Sequence, residues 1–185
     1  MINRTIYEEI GTRAGGDIYI GVVGPVRTGK STFIKKFMEM FVLPGIRDEN
    51  DRKRAMDELP QSAEGKTIMT TEPKFIPKEA VKINLFDGND IKVRMVDCVG
   101  YIVDSSLGYV EDNEPRMVTT PWFDHPIAFN EAAEIGTKKV ICEHSTIGLV
   151  VTTDGTITEI DRNDYVDAEN RVINELKAIN KPFIV

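Results

Sequence analysis

The feature that most constrains the fold is a glycine-rich octapeptide, GPVRTGKS at residues 24–31, which fits G-x-x-x-x-G-K-[ST] at every fixed position. Residues 17–23 before it form an apolar, β-rich run, which predicts a buried strand. Residues 30–43 after it carry apolar side chains three and four positions apart, which predicts an amphipathic helix ended by Pro44-Gly45. A strand, this loop and a helix in that order predict an α/β fold of the P-loop NTPase class.

The residue types of this loop suit a triphosphate. Glycines let successive backbone N–H groups point inward at phosphate oxygens, and the following helix adds its positive N-terminal end. Lys30 places a charge on the β- and γ-phosphates, and the Ser31 hydroxyl can bind Mg²⁺. Arg27 either adds a further donor or points to solvent. The predicted nucleotide-binding residues are Gly24, Arg27, Thr28, Gly29, Lys30, Ser31 and Thr32.

A second candidate element is the D-x-x-G tetrapeptide at residues 97–100. The pattern is weak alone, but it ends a run in which apolar and polar side chains alternate, as they do in a strand. Asp97 is therefore a candidate Walker B carboxylate, hydrogen-bonded to Ser31 or to a water on Mg²⁺; the alternative is an aspartate that caps a turn. Gly100 would offer its N–H to the γ-phosphate, or is only a turn glycine.

Two adjacent threonines are the third candidate element. Thr70 and Thr71 lie in a loop between the first helix and a predicted hairpin, where small GTPase-like domains place the threonine that senses Mg²⁺ and the γ-phosphate. Either threonine could serve, and Thr67 is a less favoured candidate. The alternative is that these are loop threonines without a catalytic function.

The residue after the D-x-x-G motif departs from the Ras-like pattern. Tyr101 stands where those enzymes place a water-orienting glutamine, so hydrolysis is slow or another group positions the water. The sequence does not rank the other candidates, which are Gln61, His125, Glu134 and His144. Cys142 and His144 are close enough to consider a metal pair, but a structural role is favoured because no further ligand spacing is visible.

The remaining pattern predicts a mostly parallel sheet with one antiparallel edge hairpin. Alternating runs at 81–85 and 91–95 flank a turn signal at 87–90, and 67–77 is predicted to be an extended loop. Further on, 101–130 is predicted to be irregular, 131–143 and 164–179 helical, and 147–151 and 181–185 strands. The predicted organisation is a lead segment at 1–16 and one P-loop NTPase domain at 17–185, which we expect to be a fragment because the chain ends within a strand, before any base-recognition motif.

Charge and composition exclude several classes of protein. The net charge of −7 argues against a nucleic-acid binder, which usually has a basic face. Two cysteines cannot form a disulfide framework, and no apolar run approaches the roughly 18–20 residues of a membrane span. We therefore expect a cytoplasmic protein.

Longer stretches of the chain resemble the N-terminal domain of the stage IV sporulation protein A family, the coat-morphogenesis ATPases of endospore-forming bacteria. The stretches that carry the resemblance are GDIYIGVVGPVRTGKSTFIKKFMEMFVLP, DELPQSAEGKTIMTTEPKF, RMVDCVGY, TPWF, EAAEIGTKKVI and EHSTIGLVVTTDGTI. They run from Gly15 almost to the end of the chain and include residues outside the nucleotide motifs. Departures are limited to Pro25 in the loop and a variable stretch at 102–114, neither of which removes a motif residue.

The resemblance implies a translation-factor-like GTPase architecture that uses ATP and Mg²⁺. It implies that hydrolysis drives self-assembly of the coat's basement layer on the forespore surface, inside the mother cell. By motif, Lys30 becomes the Walker A lysine, Asp97 the Walker B aspartate, and Thr70 or Thr71 the sensor threonine. Family members are longer, and their further domains contact other coat morphogenetic proteins and a membrane-marking peptide. Two alternatives stay open, a GTP-dependent switch of the small-GTPase type and a non-enzymatic scaffold with a vestigial loop.

Overall fold

The computed structural model describes residues 17–60, 72–84, 90–106, 108–111, 114–156, 158 and 160–185. Its helices are α1 (Lys30–Phe37), α2 (Glu49–Asp57), α3 (Phe129–Lys139) and α4 (Arg162–Ala178). Its longer strands are β1 (Asp17–Val23), β2 (Lys74–Asn84), β3 (Asp90–Asp97) and, later in the chain, β8 (Ile147–Val150). Two-residue strands are β4 (Val110–Glu111), β5 (Glu114–Pro115), β6 (Met117–Val118), β7 (Ile127–Ala128) and β9 (Phe183–Ile184).

Within the described residues, five strands form one sheet in the order β2-β3-β1-β8-β9. β1 is parallel to β3 and to β8, and β8 is parallel to β9. β2 lies at the edge and is antiparallel to β3. This arrangement confirms the prediction of an α/β fold whose sheet is mostly parallel with one antiparallel edge pair.

The sheet separates two hydrophobic cores. Val22 packs with Ile34 of α1 and Met95 of β3 in one core, whereas the next residue, Val23, packs with Phe129 of α3 in the other. Successive side chains of a strand point to opposite faces, so β1 must be apolar at both positions. Burying each large apolar side chain contributes about 1.5–3 kcal/mol, and both cores draw on β1. The strand before the glycine-rich loop is therefore held from both sides.

Both predicted helices beside the central strands change geometry before they end. α1 continues as a π-helical turn at Met38–Val42 and a 3₁₀ turn at Leu43–Gly45, and α3 continues as a π-helical turn at Val140–His144. The predicted end of the first helix at Pro44-Gly45 is confirmed. α3 begins at Phe129, two residues before the predicted start.

Two sequence predictions were wrong in detail. The predicted extended loop at 67–77 overlaps β2, because Lys74, Phe75 and Ile76 pair with Asp97, Val96 and Met95 of β3. The prolines in that stretch argued against a strand, because proline cannot donate a hydrogen bond to a neighbouring strand. The observed strand is irregular in register between Ile76 and Val81.

The stretch at 101–130, predicted to be irregular, holds two short antiparallel ribbons, β4 with β5 and β6 with β7. Local sequence does not predict strands of two residues. The turn of the predicted hairpin, at 85–89, and the lead segment 1–16 lie outside the described residues. None of the helices that the structure describes is long and apolar enough to span a membrane.

Candidate nucleotide-binding site

The glycine-rich loop joins β1 to α1 through a tightly curled backbone. Gly24 has φ 142°, and a Cβ there would lie 2.3 Å from the Val151 carbonyl oxygen, so only glycine fits. Arg27 adopts left-handed backbone geometry with φ 61°, which is uncommon for a residue with a side chain. The helix begins immediately afterwards, since the Phe33 N–H donates to the Gly29 carbonyl over 2.8 Å. The loop therefore has the alternating backbone geometry of an anion-binding nest.

Lys30 is folded under this loop. Its side chain is 4% exposed, and its Nζ donates to the Pro25 carbonyl. Thr28 Oγ1 donates to the same carbonyl over 3.0 Å. Burial lowers the pKa of Lys30, and the nearby Cys98 and Asp97 oppose that shift. An ammonium group has three donors, so this lysine keeps donors for an anion that enters the loop.

Asp97 and Ser31 meet at the carboxyl edge of the sheet. The parallel register pairs Val22 of β1 with Asp97, which brings the end of β3 beside the first turn of α1. Ser31 Oγ donates to Asp97 Oδ2 over 2.6 Å, while the buried Asp97 Oδ1 has no hydrogen-bond partner among the described residues. Burial raises the pKa of Asp97, and the hydrogen bond from Ser31 and the charge of Lys30 oppose the shift.

This oxygen pair fits a magnesium site. Mg²⁺ takes oxygen ligands, binds one or two protein groups and keeps water and phosphate in its other positions. Ser31 Oγ and Asp97 Oδ1, which has no hydrogen-bond partner among the described residues, are oxygen ligands of this kind. The described residues hold no group of three or more His, Cys, Asp or Glu side chains that would form an all-protein metal cage.

The D-x-x-G segment is docked onto the glycine-rich loop. The Tyr101 N–H donates to the Gly24 carbonyl over 3.3 Å, and the Val26 N–H donates to the Tyr101 carbonyl over 2.8 Å. Gly100 has φ 93°, and a Cβ there would lie 2.2 Å from the Gly24 carbonyl oxygen and 2.6 Å from Lys30 Nζ. The Gly100 N–H donates to Thr137 Oγ1 of α3 over 3.1 Å.

The side chain of Tyr101 is bound to α4, while its backbone is bonded to the loop. Its hydroxyl donates to Glu175 Oε2, and the Arg171 guanidinium stacks 4.0 Å above its ring centroid. Arg171 also pairs with Glu134 of α3 and, over 3.2 Å, with Glu175. Burial and the neighbouring Glu175 raise the pKa of Tyr101. In this conformation the tyrosine hydroxyl is committed to a carboxylate and is not placed as a water-orienting group.

The structure brings most of the predicted site residues together. The residues that converge at the carboxyl ends of β1 and β3 are Gly24, Thr28, Gly29, Lys30, Ser31, Asp97 and Gly100. Arg27 is half-buried in the loop, and Thr32 is exposed on α1. The candidates Thr67, Thr70, Thr71 and Gln61 lie outside the described residues, so their roles stay predictions.

Other candidates lie elsewhere in the fold. Glu134 pairs with Arg171 on the surface, His125 packs beside Phe123, and His144 packs edge-on against Phe75 with ring centroids 5.5 Å apart. His144 also lines a cleft of about 350 Å³ that contains none of the motif residues; its lining is Tyr19, Phe75, Arg94, Glu143, His144, Ser145 and Thr146. The cleft beside His144 is therefore separate from the candidate nucleotide site.

Sequence reasoning missed Thr137. It is 0% exposed and accepts the Gly100 N–H from the middle of α3. Its only signal is its place in the buried stripe of that helix, between Ala133 and Val140, where a polar residue is unusual. Nothing in that stripe indicates which backbone group the hydroxyl would meet.

The family described as stage IV sporulation protein A, ATPase domain, matches residues 1–185 of the chain. The chain belongs to this family. It is 65% identical over 180 residues to stage IV sporulation protein A of Bacillus subtilis (strain 168) and 64% identical over 180 residues to that of Bacillus anthracis. It is 60% identical over 184 residues to stage IV sporulation protein A of Clostridioides difficile (strain 630).

These alignments cover nearly the whole chain but only part of each relative. They include 97% of the chain for both Bacillus proteins and 100% for the Clostridioides protein. The chain spans 37–38% of the length of these curated relatives. The resemblance to the stage IV sporulation protein A family is thus confirmed, and the part of the family that this chain matches is described as its ATPase domain.

Proposed function

We propose that this domain binds ATP and Mg²⁺ and hydrolyses ATP as a P-loop NTPase of translation-factor-like GTPase architecture. The observation that carries the proposal is the contact between Ser31 Oγ and Asp97 Oδ2 at 2.6 Å beside the buried Lys30. A hydroxyl, a carboxylate and an ammonium group at the carboxyl edge of a parallel sheet form the combination that phosphoryl transfer requires. The family's description as an ATPase domain supports adenine as the base.

Each residue of the site has a part in this chemistry. The loop amides and Lys30 would hold the β- and γ-phosphates, and Ser31 with Asp97 would hold Mg²⁺ directly or through water. Bound Mg²⁺ supplies positive charge that neutralises the phosphate oxygens. Gly100 would donate its N–H to the γ-phosphate, and Thr70 or Thr71 would sense the same group. Because Tyr101 is bound to Glu175, another group positions the attacking water or hydrolysis is slow.

In the whole protein, we propose that hydrolysis drives self-association into a polymer that forms the basement layer of the spore coat. The corresponding place is the cytoplasm of the mother cell, at the forespore surface. Other spore coat morphogenetic proteins and a membrane-marking peptide would bind through parts of the protein beyond this domain. We propose no nucleic-acid partner, because the net charge of −7 disfavours binding to a polyanion.

The alternative is a GTP-dependent molecular switch. The antiparallel pair of β2 and β3 fits both functions, because both proposals have the same GTPase-like architecture. ATP and GTP competing for one site would separate the two functions. Tighter binding and faster turnover of GTP would favour the switch and contradict the ATPase proposal.

The test is phosphate release from ATP by the full-length protein with Mg²⁺. We expect Lys30→Ala to lose at least about 100-fold in turnover, since it removes the buried charge that faces the phosphates. Lys36→Ala is the matched control, because Lys36 lies on the exposed face of the same helix and pairs with Glu39 over 3.3 Å. Turnover at the wild-type rate in Lys30→Ala would rule out this site.

A further inference from the structure

The Gly100 amide has its hydrogen-bond partner on an element that belongs to neither phosphate-binding segment. Its N–H donates to the hydroxyl of Thr137, which is fully buried in α3. A buried N–H without an acceptor is unfavourable, so this hydroxyl stabilises the conformation of the D-x-x-G segment described above. Loss of the hydroxyl would leave the amide without this acceptor.

One N–H cannot serve Thr137 and a γ-phosphate together. The Cβ position of Gly100 faces the Gly24 carbonyl oxygen at 2.2 Å and Lys30 Nζ at 2.6 Å, whereas its N–H faces α3. An N–H that reaches a phosphate oxygen beside Lys30 must first turn away from Thr137. Glycine permits that rotation of the Val99–Gly100 peptide because it has few steric limits on φ and ψ.

We propose that Thr137 is a positioning residue that discriminates between nucleoside triphosphate and diphosphate. Its hydroxyl holds the Gly100 N–H against α3, and a γ-phosphate competes with it for that N–H. A diphosphate has no γ-phosphate and leaves the bond intact. This inference rests on the nucleotide site proposed above and adds the helix through which that site distinguishes its ligands.

The surroundings of Thr137 support this role. Thr137 is fully buried in α3, so water does not compete with its hydroxyl for the Gly100 N–H. The same helix presents Glu134 to Arg171, which stacks on Tyr101 at the end of that segment. The segment is thus bonded to α3 at Gly100 and is connected to it after the glycine through Arg171, so release of the Gly100 N–H removes its direct hydrogen bond to α3.

The experiment measures the affinities of the full-length protein for ADP and for a non-hydrolysable ATP analogue, both with Mg²⁺, by calorimetry. Thr137→Val replaces the hydroxyl by a methyl group and removes the acceptor. The orphaned Gly100 N–H then favours the γ-phosphate, and we expect the affinity ratio of analogue to ADP to rise about tenfold. Thr137→Ser keeps a hydroxyl and should leave the ratio within about twofold of the wild type.

Equal changes in both affinities in Thr137→Val would overturn the proposal, because a merely structural residue would affect both ligands alike. A wild type that binds neither nucleotide would instead contradict the proposed function. If Thr137→Val does not fold, NMR spectra of wild-type protein labelled with ¹⁵N-glycine test the proposal instead. Its Gly100 amide resonance should differ between the ADP and analogue complexes, and an unmoved resonance contradicts the exchange of acceptors.

Discussion

The glycine-rich loop and the D-x-x-G segment form one site but depend on the chain in different ways. The loop owes its shape to neighbours within a few residues, since Lys30 and Thr28 both donate to Pro25. The D-x-x-G segment owes its shape to distant elements, because Gly100 and Tyr101 are held by α3 and α4. A local motif therefore defines the first region, whereas tertiary packing defines the second.

This difference explains why the two regions suit different tasks. The loop is also bonded to Tyr101, but its hydrogen bonds to Pro25 are internal and do not depend on the helices, which suits the binding of a constant group such as a phosphate chain. A segment that is held by two helices changes when they move, and movements of helices are a common form of switching. Substitutions can test whether the two regions are independent.

The largest expected effect is that of Gly100→Ala on stability. The new Cβ would lie 2.2 Å from a backbone oxygen of the loop at a left-handed φ of 93°, so the two segments must separate. We expect a loss of more than about 3 kcal/mol in the free energy of unfolding, measured by urea denaturation.

Gly29→Ala is the control in the loop itself. Gly29 also has a positive φ, of 88°, but a Cβ there meets nothing within 4 Å. The cost should be limited to backbone strain of about 1–2 kcal/mol. Equal losses for the two glycines would show that the D-x-x-G segment is not pressed against the loop.

The next effect concerns Asp97→Asn, which should lower turnover by about 100-fold and yet raise the melting temperature. Burial raises the pKa of this carboxyl above its ordinary value of 3.8, so the folded chain binds its proton more tightly than the unfolded chain does. The contribution of this group to stability therefore falls as pH rises from 3.8 through the folded pKa.

The stability gain of the asparagine variant should accordingly be smallest in acid and grow toward neutral pH. Melting curves at several pH values measure it, with Asp167→Asn on the exposed face of α4 as the matched control. A stability gain that does not change with pH would mean that burial of the ionised Asp97 carboxylate does not destabilise the wild-type fold.

The smallest effect is expected for Tyr101→Phe. It removes the hydroxyl that donates to Glu175 and should lower the free energy of unfolding by about 1 kcal/mol, because Arg171 still pairs with that carboxylate. Turnover should stay within about threefold of the wild type. Tyr109→Phe, which removes a hydrogen bond to the Asp104 carbonyl, is the control. A large loss of turnover at unchanged stability would place the Tyr101 hydroxyl at the reacting water.

The same contrast decides what the sequence could predict. Residues 24–31 carry a motif whose spacing implies its own geometry, so the loop, the helix after it and the contact of Ser31 with Asp97 were all predictable. The parallel sheet followed from alternating strands and helices. The start of β2, where Lys74, Phe75 and Ile76 pair with β3, was not predictable, because the prolines outweighed the weak local signal.

Thr137 could not be assigned a partner from sequence, for a related reason. Helical spacing places it on the buried face of α3, but the amide that it accepts is 37 positions earlier in the chain. Likewise, Tyr101 was recognised as a departure from the Ras-like pattern, while the carboxylate that binds its hydroxyl lies 74 positions later. Such pairs depend on how helices lie against the sheet.

The isolated bridge between Pro25 and Tyr101 has a thermodynamic consequence. These residues pair in parallel, as strand residues do, at a position three residues after Val22 and four residues after Asp97, the last paired residues of β1 and β3. The backbone torsions of the glycine-rich loop and of the D-x-x-G segment are thereby restricted during folding. The amides of the glycine-rich loop are therefore already ordered when a ligand binds. Little of the binding free energy is then lost as conformational entropy of the chain.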